Sequence, residues 1–127
     1  MRGYDGRMTD SAAESTVFER IAAGELPAKM VAETERIIAF HDIAPQAPVH
    51  VIVAPRSGAY RDVAELAASD PGLLAELVAV ANGVAAELAD GQFRLIFNTG
   101  PRAGQTVFHV HAHVLAGGLG EGSLVGG

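Results

Sequence analysis

Histidines occupy every second position in one short segment of the chain, at His109, His111 and His113, with apolar residues between them. Successive side chains of a β-strand point to opposite faces, so this alternation predicts a strand over residues 107–115 with the three histidines on one face. Same-face neighbours on a strand lie about 7 Å apart, so the imidazoles would form a row in one cleft. We expect the apolar residues of the opposite face to pack on the core: Phe108, Val110, Ala112 and Val114.

The composition indicates a folded globular domain. The chain has 127 residues, of which 49% are apolar and 19% charged, and that length favours a single domain. Cysteine is absent, which excludes disulfides and cysteine zinc sites and favours a cytoplasmic location. The net charge of −6 argues against nucleic acid as a partner. Neither a transmembrane helix nor a signal peptide is predicted, so no membrane association is expected.

Strand-like runs outnumber helical ones, and most of the links between them are too short for parallel crossovers. We therefore predict an α+β fold with a mainly antiparallel sheet of about five strands, one short helix and one long helix. The strands are expected at residues 29–34, 36–42, 50–54, 93–98 and 107–115, the first two as a hairpin. The short helix would begin near Val17 and end at Gly24, and residues 62–66 would form one helical turn. Ser69 or Asp70 would cap the long helix, which Gly91 would end.

Three interpretations of the histidine row are open from the residues alone. The row could be a polar face toward solvent. It could bind a transition metal, with Asp42 close in space as a further ligand. It could also carry nucleophilic catalysis by imidazole, because neutral imidazole is nucleophilic near pH 7.

The loop that leads into the row favours catalysis on a phosphate. Glycines let backbone N–H groups approach an anion closely, and Gly100 and Gly104 lie in this loop. Thr106 adds a hydroxyl, and Asn98 adds an amide at the end of the preceding strand. Together with Gln105 these residues could hold a phosphate beside an imidazole.

The segment 109–115 resembles the histidine triad, His-φ-His-φ-His-φ-φ, of the HIT superfamily of nucleotide-binding hydrolases and transferases. Further stretches resemble the Hint branch of that superfamily, at residues 18–21, 26–29, 39–50 and 98–100. Together they cover nearly the whole chain from Thr16 to Leu115. Gln105-Thr106 also resembles the Fhit branch, which cleaves dinucleoside polyphosphates.

The resemblance implies a role for each residue of the triad. His111 resembles the nucleophile, which would attack the α-phosphorus and form a nucleotidyl-histidine intermediate that water resolves. His113 resembles a phosphate-binding partner near the leaving group, and His109 a residue that orients the nucleophile. The leaving amine needs a proton, which a neighbouring imidazolium could give.

The resemblance also implies a nucleotide-binding set. Asp42 and Ile43 match the ribose side, with Asp42 suited to accept hydrogen bonds from ribose hydroxyls, and His50 matches a supporting histidine. The phosphate-binding and base-pocket positions are matched by Asn98, Gly104, Gln105 and Thr106 and by Phe18, Ile21 and Ile52. Neither a metal nor a cofactor is implied.

The resemblance predicts a HIT domain over residues 16–116, between a lead at 1–15 and a glycine-rich tail at 117–127. It implies a homodimer whose two sheets join, and a nucleoside phosphoramidase that releases AMP. A Fhit-like dinucleoside polyphosphate hydrolase and a non-catalytic nucleotide-binding protein are the alternatives. The usual Gly-Gly-Arg continuation after the triad is replaced by Gly117-Gly118-Leu119, which bears on the leaving group that the site accepts.

Overall fold

One antiparallel sheet forms the centre of the molecule, which a computed structural model describes over residues 15–121. Its strands lie in the order β1-β2-β3-β5-β4, and every neighbouring pair is antiparallel. They are β1 Met30–Glu33, β2 Ile37–His41, β3 Val49–Pro55, β4 Arg94–Ile96 and β5 Ala112–Ala116. The predicted α+β class, the five strands and the first hairpin are confirmed. Most of the expected lead and tail segments lies outside the described residues.

Within residues 15–121, three α-helices accompany the sheet, one more than the short and the long helix that were expected. They are α1 Val17–Ala22, α2 Val63–Ser69 and α3 Pro71–Ala89. The predicted single turn extends to the seven residues of α2. Its N-terminus is capped by Asp62, whose side chain accepts a hydrogen bond from the Glu65 N–H, and such a cap stabilises the start of a helix.

The long helix has the boundaries that its sequence predicts. Asp70 caps α3 by accepting from the Leu73 N–H, and Pro71 occupies the first turn. The helix ends at Ala89, and its C-cap Asp90 has φ 54° and Gly91 has φ 75°. Such left-handed residues satisfy carbonyl groups at helix ends.

One face of the sheet packs against α3 and α2 and forms the main core. The sheet contributes alternate residues to this face and the helices contribute their apolar stripe. Members of this cluster include Ile37, Ala39, Val51, Val53, Val114, Leu66, Leu73, Leu77, Ala81 and Val84. By length and apolar content α3 would also suit a membrane span, a property that core helices share, and here it packs on the sheet.

The opposite face carries a smaller cluster and the histidines. Ile38, Phe40, Ile52 and Ala54 pack there against Phe18 of α1. In the register of the sheet, Ile52 lies opposite His113. The period of two along each strand therefore separates an apolar face from a face that carries polar chemistry.

The histidine segment enters the sheet later than predicted. β5 begins at Ala112, where its pairing with β3 starts, so only His113 of the three histidines lies in a strand. Before that point the chain pairs with a loop, because the Val110 N–H donates to the Tyr60 carbonyl at 2.9 Å. The alternation nevertheless continues, since Val110 is buried in the main core and His109 and His111 lie against α1.

The position of Phe108 also differs from the prediction. It was expected to pack on the core, but 42% of it is exposed. Its ring lies beneath the Arg61 guanidinium, 5.4 Å from the ring centroid. Phe108 precedes the strand, so its side chain meets the loop after β3 instead of the helices.

Candidate active site

His111 presents one ring nitrogen for chemistry. Its Nδ1 lies 2.8 Å from the carbonyl oxygen of His109, and because a carbonyl only accepts, Nδ1 must carry the proton. Nε2 then holds a free lone pair, and no described residue forms a hydrogen bond to it. Burial lowers the pKa of His111 below its ordinary value, so the imidazole stays neutral and nucleophilic near pH 7.

His109 is the fully buried member of the row, with 0% exposure. Its Nε2 lies 2.7 Å from the Pro55 carbonyl oxygen and its Nδ1 lies 2.6 Å from the Thr16 hydroxyl. Burial lowers the pKa of His109, so the ring is neutral. A buried neutral ring with both nitrogens bonded is suited to holding its neighbours in place.

His113 forms the end of a directed chain of hydrogen bonds. The Gln46 N–H donates to Nδ1 of His50 at 3.0 Å, so the His50 proton is on Nε2. That Nε2 lies 2.8 Å from Nδ1 of His113 and donates to it. His113 therefore carries its own proton on Nε2, where it can donate to a ligand.

Burial, together with the nearby His111 and His50, lowers the pKa of His113 to about 4. Burial also lowers the pKa of His50. The contact of His50 Nε2 with Asp42 Oδ2 at 3.4 Å therefore joins the carboxylate to a neutral imidazole and is not an ion pair.

Asp42 and Ile43 lie at the wall of an open cleft of about 750 Å³. Asp42 Oδ1 accepts from the Ala44 N–H at 2.7 Å, which fixes the carboxylate at the end of β2. Ile43 is 99% exposed. The cleft is also lined by residues that sequence reasoning missed: Pro27, Ala28, Lys29, His41, Pro45 and Pro48.

The loop from Asn98 to Thr106 turns tightly at two glycines. Gly100 has φ 90° and Gly104 has φ 93°, a region that favours glycine. The Asn98 amide lies beside Gly104, since a Cβ added there would come within 4.0 Å of its Nδ2. Thr106 is exposed. Asn98, Gly104 and Thr106 therefore lie in one loop that can approach an anion.

Gln105 has a different position from the one expected. It is 3% exposed, and its Nε2 donates to the Arg61 and Val107 carbonyls at 2.6 and 3.1 Å. Its Oε1 accepts from the Gly100 N–H at 2.8 Å. Both amide protons are used, so the side chain holds the loop in shape and has no donor left for a phosphate.

The three expected base-pocket residues belong to the smaller cluster. Phe18 is 5% and Ile52 is 8% exposed, and Ile21 packs at the edge of the same cluster. The Phe18 ring meets the rings of His109 and His111 edge-on, with centroids 5.3 and 4.8 Å apart. Phe18 thus supports the histidine row directly.

Asp42, His50 and His113 also form a group whose potential metal-ligand atoms lie within 4.8 Å of one another. Asp42 does approach the row, as the metal interpretation requires. The facing nitrogens of His50 and His113 share one proton in a hydrogen bond, however, so a metal would have to displace that proton. The same group serves equally well to fix the orientation of His113.

Thr16 contacts the row through His109, and Glu19 holds Thr16; neither was among the expected site residues. Their sequence pattern, Thr-x-x-Glu before an apolar run, is a capping-box signature, and the structure has that box at the start of α1. The pattern predicts a helix start and gives no indication that the cap reaches a histidine 93 positions away.

Comparison with known proteins places these features in context. The HIT domain model matches residues 23–118. An uncharacterized HIT-like protein of Synechocystis is 45% identical over 109 residues, covering 83% of this chain and 92% of that protein. The structure of a HIT family hydrolase from Clostridium thermocellum has a TM-score of 0.79 at 44% identity, over 84% of this chain and 95% of that one. A histidine triad nucleotide-binding protein from Candida albicans has a TM-score of 0.71 at 26% identity, over 79% and 73% of the two chains.

Proposed function

Because this chain belongs to the HIT domain family, we propose that it is a nucleotide-binding hydrolase that cleaves the P–N bond of adenosine 5′-phosphoramidates and releases AMP. The observation that carries the proposal is the tautomer of His111. Its Nδ1 proton is held by the His109 carbonyl at 2.8 Å, which leaves Nε2 as a neutral nucleophile. The related hydrolase from Clostridium thermocellum and nucleotide-binding protein from Candida albicans support the class of activity.

The reaction would proceed in two displacements at phosphorus. His111 Nε2 attacks the α-phosphorus, the P–N bond breaks, and the amine departs with a proton. Water then attacks the same phosphorus, the bond to Nε2 breaks, and AMP leaves with the imidazole restored. Covalent catalysis of this kind replaces one difficult step by two easier ones.

His113 would hold the phosphate and serve the leaving group. Its Nε2–H donates to a phosphoryl oxygen in the neutral state that the free site favours. A bound phosphate anion raises the pKa of a neighbouring histidine, which allows His113 to become the imidazolium that protonates the amine. His50 fixes this orientation through its bond to Nδ1.

The nucleoside would occupy the cleft beside Asp42. The Asp42 carboxylate retains lone pairs for ribose hydroxyls, and Ile43 offers an exposed apolar surface beside it. The phosphate would meet Asn98, Gly104 and Thr106, with Gln105 holding their loop in shape. Phe18, Ile21 and Ile52 would form the floor behind the base.

We also expect a homodimer in the cytoplasm. β4 is an edge strand of the sheet, and the half-exposed Leu88 lies near the end of α3. Both features are compatible with the joined sheets that the resemblance implies. Light scattering coupled to size-exclusion chromatography tests this expectation, and a molar mass near that of one chain would contradict it.

A substrate panel decides the activity. Adenosine 5′-phosphoramidate should be hydrolysed faster than diadenosine polyphosphates, and His111→Ala should abolish turnover while the circular dichroism spectrum stays unchanged. Faster cleavage of the polyphosphates would instead support the Fhit-like alternative that Gln105-Thr106 suggested. AMP binding without turnover, and without a trappable phosphohistidine, would identify a non-catalytic nucleotide-binding protein.

A further inference from the structure

The buried ring of His109 is held from the start of α1. The Pro55 carbonyl can only accept, so His109 Nε2 carries the proton and Nδ1 must accept from the Thr16 hydroxyl at 2.6 Å. The Thr16 oxygen in turn accepts from the Glu19 N–H at 3.0 Å. This bond directs the single hydroxyl proton of Thr16 toward His109.

Glu19 ties this arrangement to a second part of the chain. One carboxylate oxygen accepts from the Thr16 N–H at 3.0 Å, which completes the capping box. The other oxygen accepts from the Gly58 N–H at 2.8 Å. The loop after β3 and the start of α1 are therefore joined by one carboxylate beside the His109 ring.

Gly58 leaves the room that the arrangement needs. A Cβ at this position would lie 3.2 Å from His109 Nδ1, 3.2 Å from the Glu19 carboxyl carbon and 3.2 Å from the Thr16 methyl group. All three neighbours are held by hydrogen bonds, so none of them can yield cheaply. A side chain at position 58 would push directly on the contact between Thr16 and His109.

A continuous series of bonds leads from this carboxylate to the proposed nucleophile. Glu19 holds Thr16, and Thr16 fixes the position of His109, whose tautomer the Pro55 carbonyl sets. The His109 carbonyl then holds the Nδ1 proton of His111 at 2.8 Å. We propose that Glu19 is a positioning residue, which acts through Thr16 and His109 to hold the nucleophilic tautomer of His111; this inference rests on the proposed function.

The charge of Glu19 suits this task. Burial would raise the pKa of its carboxyl, but the N–H groups of Gly58 and Thr16, together with nearby His109, lower the pKa below the usual value. The group therefore stays a carboxylate that accepts at both oxygens. A glutamine of the same shape would turn an amide nitrogen toward one of the two N–H groups and lose that bond.

The test compares Glu19→Gln with a matched control, Glu25→Gln. Glu25 is an exposed carboxylate in the turn after α1, paired with Arg20, and has no contact with the row. With adenosine 5′-phosphoramidate, Glu19→Gln should lower kcat about 10-fold with KM and AMP affinity little changed, as loss of a supporting hydrogen bond does. Glu25→Gln should match the wild type.

Two variants of Thr16 separate positioning from folding. Thr16→Ser keeps the hydroxyl and should retain kcat, whereas Thr16→Val keeps the shape and should lose about as much as Glu19→Gln. The double variant Thr16→Val with Glu19→Gln should be no slower than either single variant, because both act along one path. If Glu19→Gln folds poorly, Gly58→Ala serves as a second test. It removes no hydrogen-bonding group and should lower kcat by about as much as Glu19→Gln is expected to.

Nitrogen-15 spectra of the histidine rings supply a readout that needs no turnover. The full-length wild type should show His109 with its proton on Nε2 and a hydrogen-bonded Nδ1, and Glu19→Gln should shift the Nδ1 resonance toward that of an unbonded nitrogen. An unchanged His109 spectrum in Glu19→Gln, or wild-type kcat in an active enzyme, would overturn the role of Glu19. An inactive wild type with the expected spectral change would refute the proposed function and leave the positioning of His109 supported.

Discussion

The two faces of the sheet are built from the same strands and differ in what their side chains do. On the face toward α3, buried residues such as Val51, Val53 and Val114 form an apolar core. On the opposite face, the alternate positions of the same two strands include His50 and His113, joined by a hydrogen bond. The first face gains stability from burial, whereas the second holds ring nitrogens in chosen protonation states.

This difference shows how each face can fail. Apolar packing is non-directional and scales with the area removed from water, so damage to the α3 face should appear in the free energy of unfolding. The histidine face depends on donors that point in one direction, so damage there should appear in the rate of reaction. Substitutions on the two faces should therefore separate stability from activity.

The largest expected effect on stability comes from Leu77→Ala on α3. Leu77 is 0% exposed in the main core, and such truncations cost about 2–5 kcal/mol of unfolding free energy. Urea denaturation measures the loss. The kcat of the folded fraction should stay at the wild-type value, and a fall in kcat at temperatures where the variant is folded would contradict the separation of the two faces.

The contrast between the faces also explains what the sequence could predict. The period of two along the strands and the helical stripe from Leu73 to Val84 predict the apolar face well, because burial requires only the right residue class at the right spacing. Phe108 fitted that period, but the prediction that it packs on the core was wrong, because it precedes the strand and meets Arg61. Periodicity does not indicate where strand pairing begins.

The histidine face could be predicted only in part. The spacing indicates that the three imidazoles share one face, and the resemblance supplies candidate roles. The tautomers depend on Pro55, Gln46 and Thr16, which are distant in sequence from the row. Backbone carbonyl and N–H groups occur at every residue, so no residue type marks the ones that reach a histidine.

On the histidine face, His50→Phe should reduce catalysis with little effect on nucleotide affinity. The variant keeps an aromatic ring but removes the Nε2–H that fixes His113. Loss of such a supporting bond typically costs about 10–100-fold, and we expect kcat to fall within that range. Leu77→Ala serves as the opposite control, since it should lose stability and keep kcat.

Stability should also depend on pH through the histidine face. The pKa of His113 is lowered from 6.5 to about 4, so between these values the unfolded chain binds a proton that the folded protein does not. The free energy of unfolding should therefore rise as the pH increases from about 4 to 6.5 and level off above. The full lowering corresponds to about 3 kcal/mol, and solvent screening of this partly exposed group reduces its expected contribution to on the order of 1–2 kcal/mol.

Urea titrations at several pH values measure this dependence. His113→Asn should reduce the slope between pH 4 and 6.5 in the range set by the lowered pKa. His41→Asn is the matched control, because His41 is an exposed histidine at the end of β2, and it should retain the wild-type slope. Equal slopes in all three proteins would show that burial of His113 does not govern the dependence.

The smallest expected effect is a gain in the free energy of unfolding. It is tested by making the same glycine-to-alanine change at two places, one in α3 and one beside the histidine row. Gly83 lies inside α3, and a Cβ added there meets nothing within 4 Å. Alanine is favoured over glycine in helices by about 0.5–1 kcal/mol, so Gly83→Ala should raise the unfolding free energy by that amount and leave kcat unchanged. Gly58→Ala adds the same methyl group 3.2 Å from His109 Nδ1 and should lower kcat instead. If both variants changed kcat, or neither did, the division of stability and catalysis between the two faces would be wrong.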